Sequence, residues 1–251
     1  MEIYLVGGAI RDELLGIANE DTEKDFVIVG SSPEEMKSLG YRQVGKEFPV
    51  FLHPQSNEEY ALARLERKVE LGYAGFEFDT SKSVTLKQDL SRRDLTINAI
   101  AQKQNGNGDL VDPFNGQGDI KLRTLRHVSE AFSEDPVRIL RTARFASRFN
   151  SLGFNIAHET VELMKKMVSS GEVDSLIPER VFKELSLSIE SEKPSIFFEV
   201  LIESGAYQRL FPMLDINKTS DMQILDVPTE LPEVRFALWL HKQNIENVLE
   251  L

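Results

Sequence analysis

The stretch Tyr4-Leu-Val-Gly7-Gly8-Ala-Ile-Arg11-Asp12-Glu-Leu-Leu-Gly16, with Glu23-Lys-Asp25-Phe-Val-Ile-Val-Gly30 after it, decides how the first half of the chain is read. Ile3–Val6 and Phe26–Val29 are apolar, rich in branched side chains and closed by glycine, which predicts two buried strands. Between them, Gly7-Gly8 makes a turn into a short amphipathic helix carrying Arg11. Glycines at such a turn let backbone N–H groups approach a phosphate, and the positive end of the helix favours the anion. Gly-Gly alone equally suits a plain turn. A dinucleotide-binding G-x-G-x-x-G reading fails, because Ala9 and Ile10 stand where a further glycine is needed and no long βαβ unit follows.

The second strand is entered through carboxylates. On a strand, residues i and i+2 face the same side, so Glu23 and Asp25 are suited to share a hard divalent cation. Mg²⁺ typically takes one or two carboxylates plus substrate phosphate oxygens, and two such ions support in-line displacement at phosphorus. Glu59, in Glu59-Tyr-Ala-Leu-Ala-Arg64, is the candidate third carboxylate from a neighbouring strand. Two later motifs extend the theme. In Ser91-Arg92-Arg93-Asp94-Leu95-Thr96-Ile97-Asn98, Arg93 suits a triphosphate, while Asp94 and Asn98, spaced i and i+4, share a helical face fit to hydrogen-bond a ribose. In Glu134-Asp135-Pro-Val-Arg138-Ile-Leu-Arg141-Thr-Ala-Arg144-Phe145, the residues Asp135, Arg138, Arg141 and Arg144 form a polar stripe opposite Val137, Ile139, Leu140 and Ala143. An acid and an arginine on one rigid helix offer an acceptor and donors to the edge of a base; the same stripe equally describes a solvated cationic face.

Around these motifs the first half reads as α+β. Pro33–Leu39 predicts a short helix with Ser31 or Ser32 as its cap and Gly40 as its stop, and Tyr41–Val44, Val50–His53 and Glu59–Arg64 predict three more strands. Residues 66–83 read as a mobile loop, Leu86–Ala101 as a helix, and Gly106–Gly118 as turns. From about residue 120 the pattern becomes helical, over Pro136–Phe149, Ala157–Ser169, Pro178–Ser191, Ser195–Gly205 and Glu233–His241. This divides the chain into a head (1–122), an all-α neck and body (123–212) and an acidic helical remnant (213–251).

Composition narrows the chemistry. The 251 residues include no cysteine, which excludes disulfides, thiolate metal sites and a cysteine nucleophile. No apolar run approaches membrane-spanning length and the N-terminus lacks a signal-like pattern, so a cytoplasmic protein away from membranes is expected. The net charge of −12 argues against a broad basic footprint for nucleic acid. Residues 121–148 run against that mean, with seven Lys/Arg against three acids. A local basic strip on an acidic protein is the more telling feature.

In this order and spacing the motifs resemble the class II CCA-adding tRNA nucleotidyltransferases and related bacterial poly(A) polymerases. The phrases YLVGGAIRD, FPVFLHP, EYALAR, RRDLTINA, DPFNG and EDPVRILRTARF carry the resemblance over roughly residues 1–212. It implies a polymerase-β-like nucleotidyltransferase head followed by a helical neck and body, adding CCA to tRNA 3′ ends from CTP and ATP with Mg²⁺, without an obligate protein partner. Carried over by position, Gly8 and Arg11 bind the triphosphate, Glu23 and Asp25 occupy the metal positions, and Arg93, Asp94 and Asn98 contact phosphate and ribose. Asp135 and Arg138 pair with the base edge, while Arg141 and Arg144 complete the nucleotide pocket. The segment after Arg64 corresponds to the flexible one needed for the switch to ATP. Two departures stand out. The family's Asp-x-Asp is Glu23-Lys24-Asp25 here, with Asp21 as the reserve ligand, so reduced activity is expected. Val234–His241 is similar to the first ligand helix of an HD phosphohydrolase domain, but Lys242 stands where its His-Asp pair needs aspartate, so no such activity is expected, and lack of a following tail would weaken tRNA binding. The alternatives are a poly(A) polymerase or A-only adder, and a degenerate, non-catalytic RNA- or nucleotide-binding protein.

Overall fold

The first half folds as β1 (Glu2–Val6), α1 (Gly8–Leu15), β2 (Asp25–Val29), α2 (Pro33–Ser38), β3 (Arg42–Val44), β4 (Val50–Leu52), β5 (Glu59–Leu62), β6 (Leu65–Lys68), β7 (Phe76–Asp79), α3 (Leu86–Ser91), β8 (Ala101–Lys103), β9 (Leu110–Val111) and α4 (Gly116–Leu122). The structure, a computed structural model, describes residues 1–44, 50–68, 76–215, 222–229 and 231–249. Contacts divide these into two units, one of residues 1–68, 76–122 and 126–132, the other of residues 123–125 and 133–249.

The first unit is built on a seven-stranded sheet in the order β3-β4-β5-β2-β1-β8-β9. Every neighbouring pair is antiparallel except β2–β5, which run parallel with Asp25 opposite Glu59. Side chains alternate across the strands. Phe26 and Ile28 therefore pack with Met36, Phe51, Tyr60 and Leu62 on one face, where the Phe26 and Tyr60 rings stack at 4.4 Å. Val27, with Tyr4 and Val6, packs on the other face against Leu86 and Leu90 of α3. Asp25 shares the parity of Val27, so the β2 carboxylate belongs to the face that α3 covers. Ser32 caps α2, its Oγ accepting the Glu35 N–H.

Three expectations are corrected here. Residues 66–83 are not simply a loop: β6 and β7 pair antiparallel, and residues 69–75 lie outside the described residues, as do Phe48 and Pro49 of FPVFLHP. Leu86–Ala101 is not one helix. α3 stops at Ser91, Thr96–Asn98 form a 3₁₀ turn, and the chain becomes β8 at Ala101. Non-local pairing overrides the helical pattern, because Thr96 N–H donates to the Arg126 carbonyl at 2.8 Å and Val128 N–H to the Asp94 carbonyl at 3.2 Å. Gly116 makes this junction possible, since a Cβ there would stand 2.2 Å from the Thr96 carbonyl oxygen. The third correction is that the expected all-α region contains one short parallel pair, β10 (Thr124–Leu125) with β11 (Asn155–Ile156).

The second unit otherwise consists of α5 (Val137–Arg148), α6 (His158–Ser169), α7 (Pro178–Ile189), α8 (Pro194–Ser204), α9 (Ala206–Leu210), α10 (Pro232–Leu240) and α11 (Ile245–Leu249). α5 packs against α7 and α8, and buries Ile139, Leu140, Ala143 and Phe149. Phe197, Phe198, Tyr207 and Trp239 continue the core, with the Trp239 indole N–H donating to the Tyr207 hydroxyl at 3.2 Å. Buried aromatics of this size each stabilise a fold by about 1.5–3 kcal/mol, so the aromatic block dominates any single polar contact in the unit.

Candidate functional site

In the first unit, two guanidinium groups flank the Gly7–Gly8 turn. β1 ends at Val6, Gly7 adopts φ +72°, and α1 begins at Gly8 without a side-chain cap. The first N–H groups of any helix lack intrahelical acceptors. A Cβ on Gly8 would lie 3.6 Å from Arg11 Nη2, and one on Gly7 would lie 3.0 Å from Arg93 Nη1. Glycine at both positions therefore leaves the backbone open between the two cations.

The two arginines are held differently. Arg11 is 4% exposed; its Nε donates to Asp12 Oδ1 at 2.7 Å and its Nη1 to Asn98 Oδ1 at 2.6 Å. Asn98 Nδ2 donates to Asp94 Oδ1 at 2.9 Å, and that oxygen also accepts the Leu95 N–H at 2.8 Å. Asp94 and Asn98 thus meet as the sequence spacing suggests, but across a turn and a 3₁₀ helix rather than on an α-helical face. Arg93 has weaker ties. Its Nη1 donates to the Asn98 carbonyl and its Nη2 to Asp89 Oδ2, both at 3.4 Å, beyond the usual range for N–H···O bonds. Its Nε is buried with no hydrogen-bond partner.

Asp89 anchors this corner. It is fully buried, and its Oδ1 accepts Arg92 Nη2 at 2.7 Å, Arg92 Nε at 3.1 Å and the Arg64 N–H at 3.2 Å. Burial works to raise its pKa, but the charges of Arg92 and Arg93 and the donated hydrogen bonds outweigh it and hold the carboxyl below its ordinary value.

The acidic edge lies at the start of β2. Asp25 and Glu59 sit opposite each other in the parallel pairing, so their side chains project from the same face. The protein packed around the Asp25 carboxyl pushes its pKa up; the Arg93 charge opposes the rise and the Glu23 charge adds to it. Glu23 is exposed and precedes the strand, which begins at Asp25, so the strand rule that would align the two carboxylates does not hold. Asp21 is exposed in a turn where its N–H donates to Asn19 Oδ1 at 3.1 Å. Among the described residues no group of three or more His, Cys, Asp or Glu is placed to hold a metal. Asp25 itself is exposed at the strand start, and a two-carboxylate site there is compatible with Mg²⁺, which completes its shell with phosphate and water.

In the second unit the polar stripe of α5 faces α7 rather than solvent. Arg180 of α7 grips Asp135 with both nitrogens, Nη1 to Oδ1 at 3.0 Å and Nη2 to Oδ2 at 2.8 Å, while Asp135 Oδ1 also accepts the Val137 N–H at 3.2 Å. Arg138 is 6% exposed. Arg144 Nε donates to Glu184 Oε2 at 2.5 Å, with Arg141 Nη1 3.8 Å from Oε1, and both guanidinium groups lie over the Phe145 ring. Sequence reasoning missed Asp12, Asp89, Arg180 and Glu184. Only Asp12 adjoins a motif residue that it pairs with; Arg180 lies 45 residues from Asp135 and Glu184 lies 40 from Arg144.

The Poly A polymerase head domain family matches residues 3–126 of this chain. Residues 3–126 belong to this head-domain family. A second family, described as the probable RNA and SrmB-binding site of polymerase A, matches residues 153–217. The chain is 52% identical over 259 residues to a multifunctional CCA protein of Teredinibacter turnerae, covering 96% of this chain and 62% of that protein. Among solved structures, a CCA-adding enzyme in complex with CTP superposes with TM-score 0.71 at 30% identity, over 99% of this chain and 61% of that one. A tRNA nucleotidyltransferase complexed with a primer tRNA and an incoming ATP analogue gives TM-score 0.70 at 25% identity, over 98% of this chain and 73% of that one. The chain spans 51% to 62% of the length of the curated relatives it matches. These likenesses agree with the mixed-sheet head and helical body seen here.

Proposed function

We propose that this chain is a template-independent nucleotidyltransferase that adds C, C and A to tRNA 3′ ends from CTP and ATP, releasing pyrophosphate. The observation that carries the reading is Arg93, a partly exposed arginine with two long hydrogen bonds and, among the described residues, no partner for its buried Nε, standing against the uncapped Gly7–Gly8 helix start. An arginine left short of acceptors beside a positive helix end is suited to an oxyanion such as a triphosphate. The relatives support the choice of substrates, since one solved neighbour carries CTP and another a primer tRNA with an ATP analogue.

Each residue then has a task. The Gly8 backbone, Arg11 and Arg93 hold the triphosphate, and Asp94 and Asn98, locked to each other, present hydrogen-bonding groups to the ribose. Asp25 and Glu23 would hold Mg²⁺, with Glu59 beside Asp25. When bound, the ion activates the attacking 3′-hydroxyl and neutralises charge on the leaving pyrophosphate. Asp135 and Arg138 read the base edge, with Arg141 and Arg144 completing the nucleotide contacts. A carboxylate offers about four acceptor positions. Arg180 and the Val137 N–H use three on Asp135, which leaves one on Oδ2 for an exocyclic amino group of cytosine or adenine.

The test is incorporation of labelled CTP and ATP into tRNA lacking CCA. Both labels are expected to enter with Mg²⁺. Uptake of ATP alone would identify an A-only adder, and binding without uptake in Mg²⁺ and in Mn²⁺ would identify a non-catalytic binder; either result overturns the proposal.

A further inference from the structure

We propose that Asp89 is a positioning residue for the triphosphate, acting through Arg93; this rests on the reading of Arg93 given above. Among the described residues Asp89 makes no hydrogen bond to the Gly-Gly turn; it is fully buried and belongs to none of the sequence motifs assigned a role. Its two oxygens are unequally engaged. Oδ1 accepts three donors, two from Arg92 and one from the Arg64 backbone, at 2.7 to 3.2 Å. Oδ2 receives only Arg93 Nη2, at 3.4 Å.

The division sets the state of Arg93. One carboxylate balances two buried or half-buried guanidinium groups, and Arg92 takes the short bonds. Arg93 is therefore aimed by Asp89 without being saturated, which keeps its donors open to an anion. A bidentate pair of the kind seen at Asp135–Arg180 would instead occupy the fork and remove it from binding. The Arg64 N–H, just past the end of β5, fixes the same oxygen and so anchors the Asp89 carboxylate to the sheet.

Steady-state kinetics on tRNA lacking CCA test this. Asp89→Asn keeps the shape and one acceptor but loses the charge. It is expected to raise KM for CTP and for ATP by the same factor, roughly tenfold for one weakened charge-assisted contact, with a much smaller change in kcat. Joining it to Arg93→Gln is expected to add little to the effect of Arg93→Gln alone. Arg92→Lys, which keeps the charge but loses the fork, frees Oδ1 to draw Arg93 in and is expected to raise both KM values as well. It decides the matter if Asp89→Asn does not fold. Unchanged KM values in the variants, or additive effects with Arg93→Gln, overturn the role of Asp89 while leaving that of Arg93 intact. A wild-type protein that binds neither CTP nor ATP removes both.

Discussion

Arg93 of the first unit and Arg180 of the second are held in opposite ways. In the first unit, Arg93 makes two contacts at 3.4 Å and leaves Nε without a partner. In the second, Arg180 closes on Asp135 with two bonds of 2.8 and 3.0 Å, and Arg144 donates to the buried Glu184 at 2.5 Å. Buried groups left short of partners cost free energy. Arg235 shares the unpartnered Nε but uses its Nη groups on three backbone carbonyls, whereas the Nη groups of Arg93 make only long contacts and suit a ligand. Fully paired groups do something else: they fix the direction of a side chain. The first arrangement suits gripping a phosphate that is the same in every nucleotide. The second suits reading a base edge, where the angle of one acceptor decides which base fits.

This contrast can be broken at several points. The largest effect on turnover is expected at the acidic edge of the first unit: Asp25→Asn should lower kcat by at least about a hundredfold, for CTP and ATP alike. The same carboxylate has a pH signature. Asp25 is exposed at the strand start, but desolvation of its carboxyl raises the pKa, so the ionised form is lost as pH falls through a value above the usual carboxylate range, and the acid limb of the rate profile should lie correspondingly high. A limb at the ordinary carboxylate value would show that another group controls it. In the second unit, Asp135→Ala should reduce discrimination for CTP and ATP against UTP and GTP by about ten- to a hundredfold, one lost base contact, while changing the rate with the correct nucleotide less. Unchanged selectivity would remove the base-reading role. The smallest effect is expected away from both clusters: Ser32→Ala should cost about 1 kcal/mol through loss of the α2 cap, and lower Tm by about 2–4 °C with kinetics unaltered.

Much of the first unit could be read from local pattern. The runs around residues 3–6 and 26–29 form β1 and β2, and Gly7-Gly8 makes the turn into α1, because an apolar, branched run and a positive-φ glycine are properties of consecutive residues. Reading failed where partners are distant. The apolar spacing of Leu86–Ala101 is helical, yet Thr96 and Asp94 bond to residues 126 and 128, and no periodicity reveals such a pairing. The ribbon of β6 and β7 was hidden for another reason: its partners are close in sequence, but glycines and mixed charge blur the strand pattern around it. Among candidate site residues, Asp25 and Glu59 could be placed on neighbouring strands, but Glu23 falls just before β2 and so escapes the strand geometry assumed for it. Arg180 and Glu184 left no sequence signal, since their partners lie 45 and 40 residues away, whereas Asp89 stands three and four residues before Arg92 and Arg93, a spacing at which helical side chains pair.

The most direct test of the division between gripping and reading compares equilibrium binding of CTP and of inorganic tripolyphosphate to Arg93→Gln and Asp135→Ala. Arg93→Gln is expected to weaken both ligands, whereas Asp135→Ala is expected to weaken CTP and leave tripolyphosphate unchanged. Equal loss of tripolyphosphate binding in the two variants, or none in Arg93→Gln, would contradict it.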